Sequence, residues 1–126
     1  MYDGLAMIDI FNYIKCDINT YVVGSACSMG SLLLAAGTKG KRFALPNSMV
    51  MIHQVLSGYR GQASDLEIHT RETLYLKKKL NQMLSDYTYG KISFDEMTKL
   101  TDRDNFLRPE QALDMNLIDK IITSRQ

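Results

Sequence analysis

The sequence is poor in the residues that staple, bind metal or span a membrane. It holds two cysteines, Cys16 and Cys27, too few for a disulfide framework and without metal-ligand spacing. That usage points to an intracellular setting and against a resident metal. Charge of one sign is also lacking: 15 Lys and Arg oppose 14 Asp and Glu, a net charge of +1. Neither nucleic acid nor an anionic membrane surface has an electrostatic case as partner. No apolar run reaches the roughly 18 residues that cross a bilayer, and no secretory signal is visible. Prolines number two, and histidines two, His53 and His69. What remains is ordinary: 126 residues, 45% hydrophobic and 23% charged, enough for one domain that buries about two-thirds of its unfolded surface.

The chain alternates short apolar strands with helical patterns, which predicts an α/β domain. Residues 4–14 carry Leu5, Ile8, Phe11 and Ile14 near helical spacing. Tyr21-Val22-Val23 reads as a buried strand, and residues 28–36 as a second helix, apolar nearly all round and therefore buried, ended by Gly37. Lys39-Gly40-Lys41-Arg42 reads as a solvated basic turn, residues 42–45 and 50–52 as strands, and 57–62 as a loop or exposed extended segment. Ser64 and Glu67 spell a capping box for a helix running to about Tyr87. Its roughly 24 residues would span ~36 Å, more than a small core requires, so it is expected to project and pack on another subunit. Ser93 and Glu96 spell a second capping box, Pro109 takes the first position of a further helix, and residues 117–122 read as a closing strand. Nothing repeats, and no tract is of low complexity.

The chemistry centres on Gly24-Ser25-Ala26-Cys27-Ser28-Met29-Gly30. An apolar strand stops at a glycine, small residues follow, and Ser28 stands where a helix begins. Free N–H groups and the helix dipole favour negative charge there, which suits acyl transfer through an oxyanion. The pattern nearly meets G-x-S-x-G, with Ala26 in place of the first glycine. The plainer reading is an N-cap serine. His53 ends another buried strand, and adjacent strand ends in a parallel layer share one rim, so it is a candidate base for Ser28. His69, among charged residues of the long helix, reads as a surface residue. Cys27 is a rival nucleophile, but reads as a small buried packing residue. A carboxylate must orient the imidazole. Asp102, Asp104 and Glu110 all lie late in the chain, and spacing does not choose among them.

These segments, with Gly37-Thr38-Lys39-Gly40-Lys41-Arg42, Leu45-Pro46-Asn47-Ser48, Met51-Ile52-His53-Gln54, Gly61 to Ile68 and Thr101 to Phe106 in the same order, closely resemble the Clp protease family of ClpP-type proteolytic subunits over essentially the whole chain. The resemblance implies a crotonase-like α/β fold, a single proteolytic domain with a projecting strand-helix handle at about 57–88. It implies an ATP-dependent serine endopeptidase with Ser28 as nucleophile, His53 as base, Asp104 as third member and the Met29 backbone N–H in the oxyanion hole. Gln62, Asp65 and Arg103 match ring-to-ring contact positions. Two stacked seven-membered rings of this subunit would enclose the sites. The substrate would be polypeptide fed by an AAA+ unfoldase, which is where ATP is used; the subunit itself needs no cofactor. Bacterial cytoplasm, plastid stroma and mitochondrial matrix all fit. Val55 stands where the family usually has proline, and Cys27 where it usually has alanine. The family's early strands and a Ser-Pro-Gly-Gly segment, whose glycine supplies the other oxyanion donor, would precede Met1, so the chain is expected to be a fragment or processed form. The alternative function is a catalytically weak structural subunit of a mixed Clp ring. An acyl-CoA enzyme of the wider crotonase-like group is disfavoured by the Ser-His-Asp set.

Overall fold

The computed structural model describes residues 1–125. Its elements are α1 (Tyr2–Tyr13), β1 (Thr20–Val22), β2 (Ser25–Cys27), α2 (Met29–Ala35), β3 (Arg42–Ala44), β4 (Met49–Ile52), α3 (Ala63–Tyr87), α4 (Phe94–Leu100), β5 (Asn105–Leu107), α5 (Pro109–Asp114) and β6 (Lys120–Ile121). They build an α/β fold with two three-stranded sheets, ordered β1-β3-β6 and β2-β4-β5. The first sheet is wholly parallel. In the second, β2 and β4 are parallel and β5 runs antiparallel to β4. Among the described residues no helix is long and apolar enough to cross a membrane.

The strand expected at residues 21–23 is β1, and the small residues 25–27, expected as a turn, form a second strand, β2. Gly24, at φ +80°, turns the chain between β1 and β2, so the small residues 25–27 form a strand of the second sheet. The sheets stay in register across the break: Leu45 N–H donates to Val22 O and Met49 N–H to Gly24 O. Helix α2 lies at the centre, packed on α1, α3 and the strands of both sheets. Leu32, Leu34 and Ala35 are buried with Ile8, Val22, Ala44, Val50, Ile52, Leu84, Met97, Leu107 and Ile118 in one apolar cluster. The helix ends where expected, with Gly37 directly after its C-cap, although Gly37 is not in the left-handed conformation. Its C-cap is Ala36, in right-handed helical geometry. Gly37 is required for a further reason, since a Cβ there would stand 2.6 Å from Thr20 Oγ1, so only glycine lets the chain pass that close.

Helix α3 contains neither Gly nor Pro and is rich in Leu and Lys, both good helix formers. Its second half packs through Leu76, Leu80, Met83, Leu84 and Tyr87. Its first eight residues are all exposed, Leu66 and Ile68 among them. The capping box expected at Ser64 does not form. The helix starts one residue before it, with Gln62 as N-cap and no side-chain cap bond, so Ser64 is already inside the first turn. The box at Ser93 does cap α4: its side chain accepts from Glu96 N–H at 3.2 Å. Pro109 opens α5 as expected. The closing strand is only Lys120–Ile121; Leu117 and Ile118 approach it as buried coil.

The largest departure from the sequence reading is Arg42. Expected in a solvated basic turn, it is fully buried. All five guanidinium N–H donors are used: Nε and Nη2 to the two carboxylate oxygens of Asp119 (2.8 Å each), Nη2 also to Asn116 O, and Nη1 to Ala35 O and Tyr87 O. Gly40 N–H and Arg42 N–H donate to Asp119 as well. The carbonyls lie at the C-terminal ends of α2, α3 and α5, where helix dipoles favour a cation. Burial alone would raise the Asp119 carboxyl, but hydrogen bonds and charge from Arg42 outweigh it and hold it below the ordinary carboxylate range. A carboxylate lowered in the fold adds stability above its unfolded value, near ~3.9, and that stability is lost as pH falls through the folded value. Asp119→Asn should therefore destabilise the chain at neutral pH, by about 3 kcal/mol because Arg42 keeps a buried charge without its counterion. The loss should shrink below about pH 4, as measured by urea unfolding across pH.

Candidate active site

Ser28 is set by the strand before it and the helix after it. Its N–H donates to Met51 O, extending the β2–β4 ladder by one bond, while its carbonyl accepts from Ser31 and Leu32 N–H in the first turn of α2. Between these constraints the residue takes φ 54°, ψ −118°, a conformation costly for any residue with a Cβ. The strain turns the hydroxyl out of the ladder. As the N-cap of α2, Ser28 makes no side-chain cap bond, so the plain capping role does not use its oxygen.

That oxygen meets His53. Ser28 Oγ lies 2.5 Å from His53 Nε2, and His53 Nδ1 lies 3.2 Å from Asp104 Oδ1. Three short strands make this happen. Because β2 and β4 are parallel with Cys27 opposite Met51, the residues that leave them, Ser28 and His53, emerge at one end. Because β5 is antiparallel to β4 with Ile52 opposite Asn105, Asp104 enters β5 beside the point where His53 leaves β4. Asp104 Oδ1 stands within reach of Nδ1, where a carboxylate favours the tautomer with the proton on Nδ1 and leaves the Nε2 lone pair to the serine hydroxyl. Such a line of groups can take a proton from Ser28 and hold the resulting imidazolium.

Of the other carboxylates considered, Asp102 lies two residues short, its side chain exposed and 4.0 Å from Arg103, and Glu110 sits exposed in the first turn of α5. Met29 follows Ser28 as the first residue of α2, at the position where a helix leaves backbone N–H groups without an intrahelical acceptor. Its side chain is gripped by α1: a Cβ on Gly4 would fall 2.3 Å from Met29 Cγ. Gln62 and Asp65 stand at the start of α3 and Arg103 in the exposed turn before Asp104. His69 is exposed and stacks on Tyr59 at 3.8 Å. Cys27 is exposed rather than buried, since it lies on a short strand at the edge of the second sheet.

A cavity of about 310 Å³ opens beside Ser28 and His53. Met29, Leu32, Val55, Leu56, Leu80 and Leu84 give it an apolar wall. Its α3 residues escaped sequence reasoning as site residues, because their periodicity signalled core and nothing showed which part of the core faces the serine. Asn81, buried and on the same wall, is equally unmarked in sequence.

The backbone at Ser28 predicts an unusual order of stabilities. Glycine adopts φ near +54° without penalty, whereas alanine inherits the strain. Ser28→Gly should be more stable than Ser28→Ala by about 1 kcal/mol in chemical denaturation, against the usual cost of glycine. The reverse order would mean the turn is not strained. Compared with protein-family models, the chain matches the one described as Clp protease over residues 1–125.

Proposed function

This chain belongs to the Clp protease family, and on that premise we propose that it is a serine endopeptidase subunit whose reacting groups are Ser28, His53 and Asp104. The observation that carries the reading is the unbroken line of contacts from Ser28 Oγ through His53 to Asp104. In this reading Ser28 Oγ attacks the scissile carbonyl carbon as His53 Nε2 takes its proton. The oxyanion is received by the Met29 N–H at the start of α2. As the tetrahedral species collapses, the imidazolium gives its proton to the leaving amine and an acyl-Ser28 ester remains. Water, deprotonated by His53, attacks that ester, and the second collapse frees the acid and restores the Ser28 hydroxyl. Asp104 holds the imidazole tautomer and stabilises each imidazolium. The apolar cavity beside Ser28 would take a substrate side chain.

The larger assembly belongs to the same proposal. The fold is a crotonase-like one, a single proteolytic domain, with residues 57–88 as its handle. In support, the first turns of α3 stand clear of the core and expose Leu66, Ile68 and Leu74, apolar surface that a neighbouring subunit would cover. Gln62, Asp65 and Arg103 would meet their counterparts across two stacked heptameric rings, and an ATP-driven AAA+ unfoldase would supply unfolded polypeptide. The setting is intracellular. Hydrolysis of an unstructured fluorogenic peptide by the full chain tests the site. Ser28→Ala should lose activity by about 10⁵-fold, and Asp104→Asn by about 10²- to 10⁴-fold in kcat. Negligible hydrolysis by the unaltered chain would favour the alternative, a catalytically weak structural subunit of a mixed ring.

A further inference from the structure

The contact between His53 and Asp104 does not support itself. The Asp104 side chain is 63% exposed, and a polar contact so open to water holds two side chains in one geometry only weakly. Strand pairing gives out just before it, because the last paired residues are Ile52 and Asn105. The spacing of His53 and Asp104 must therefore be set beyond the ladder.

Gln54 spans that gap with two bonds. Its backbone N–H donates to Thr101 O at 2.5 Å, and its Nε2 donates to Asp102 O at 2.7 Å. Both acceptors lie in the turn that delivers Asp104. The turn is anchored on its far side as well. Thr101 is fully buried, and its hydroxyl lies within hydrogen-bond distance of Met97 O in α4 and Asn81 Oδ1 in α3. Asn105 Nδ2 closes the turn by donating back to Leu100 O. Arg103, between the two, takes no part in this and has its side chain 92% exposed.

We propose that Gln54 is a positioning residue of the peptidase site, whose side-chain amide holds the 101–102 turn so that Asp104 meets His53; this rests on the reading of Ser28, His53 and Asp104 as the reacting set. Gln54 touches none of the reacting atoms in this role. It works through Asp104, and small displacements of a reacting group cost rate steeply. The residue also lines the cavity, so its test must separate positioning from a direct effect on substrate.

A double-mutant cycle in the full chain makes that separation. Gln54→Met keeps the length of the side chain and removes the donor; Gln54→Glu keeps its shape and puts an acceptor against Asp102 O. Each should lower kcat/KM for a fluorogenic peptide by about tenfold in the unaltered background. In an Asp104→Asn background each should lower it by less than about twofold, since the contact they serve is already gone. The same tenfold loss in both backgrounds, or none in the first, would overturn the assignment of Gln54 while leaving the reacting set intact. An Asp104→Asn variant as active as the unaltered chain would overturn both.

Discussion

The buried pair of Arg42 and Asp119 is the constraint on which the architecture depends. One guanidinium gathers the C-terminal ends of three helices and the approach to the last strand. Two of those helices have a stake in the site. Helix α2 begins at Ser28 and ends at the Arg42 cluster, so pinning Ala35 fixes the far end of the element that presents the hydroxyl. Helix α3 is held at Tyr87 and supplies Leu80, Asn81 and Leu84 to the cavity. Arg42 also opens β3, whose chain runs on into β4 and ends at His53. A charge buried this deeply is tolerated because every donor has an acceptor. Its removal would leave carbonyls, a carboxylate and three helix ends without a common partner.

At the other end of α2 the fold spends some of that stability. Ser28 is held between a strand ladder and a helical turn in a conformation its Cβ disfavours, which costs about 1–3 kcal/mol. Strain and alignment arise together: the bond from Ser28 N–H to Met51 O stops the residue from relaxing and also places it beside the strand that carries His53. The three short strands β2, β4 and β5 give Val50, Ile52 and Leu107 to the core, but that burial alone does not align the site. Their register is what converges three residues far apart in sequence.

Much of this was legible in the chain. Strand, small-residue turn and helix around Ser28, and a histidine at the close of a buried strand, are local patterns with local causes, and the structure brings those two side chains together. The long helix was visible from its propensities. Asp104 was not separable from Asp102 and Glu110, because the antiparallel return of β5 decides the matter and leaves no local trace. The resemblance of the motifs to the family pointed to Asp104, the carboxylate that lies against His53. Arg42 was misread for a related reason. A basic run beside a glycine is usually solvated, and only the arrival of Asp119 and three helix ends from elsewhere makes burial affordable. Cys27 misled because a small residue before the Ser28 turn reads as packing, when Gly24 has carried residues 25–27 into a strand at the edge of a second sheet. Gln54 carried no signal at all, since its partners are backbone carbonyls, which every sequence supplies.

The central claim is that the Ser28 hydroxyl is made nucleophilic by His53. Treating the full chain with a fluorophosphonate and mapping the adduct by peptide mass spectrometry tests it most directly. The account predicts a single phosphonyl group on Ser28, formed orders of magnitude more slowly when His53 is replaced by alanine. An adduct on Cys27 or on another serine, or labelling of Ser28 at an unchanged rate without His53, would contradict it.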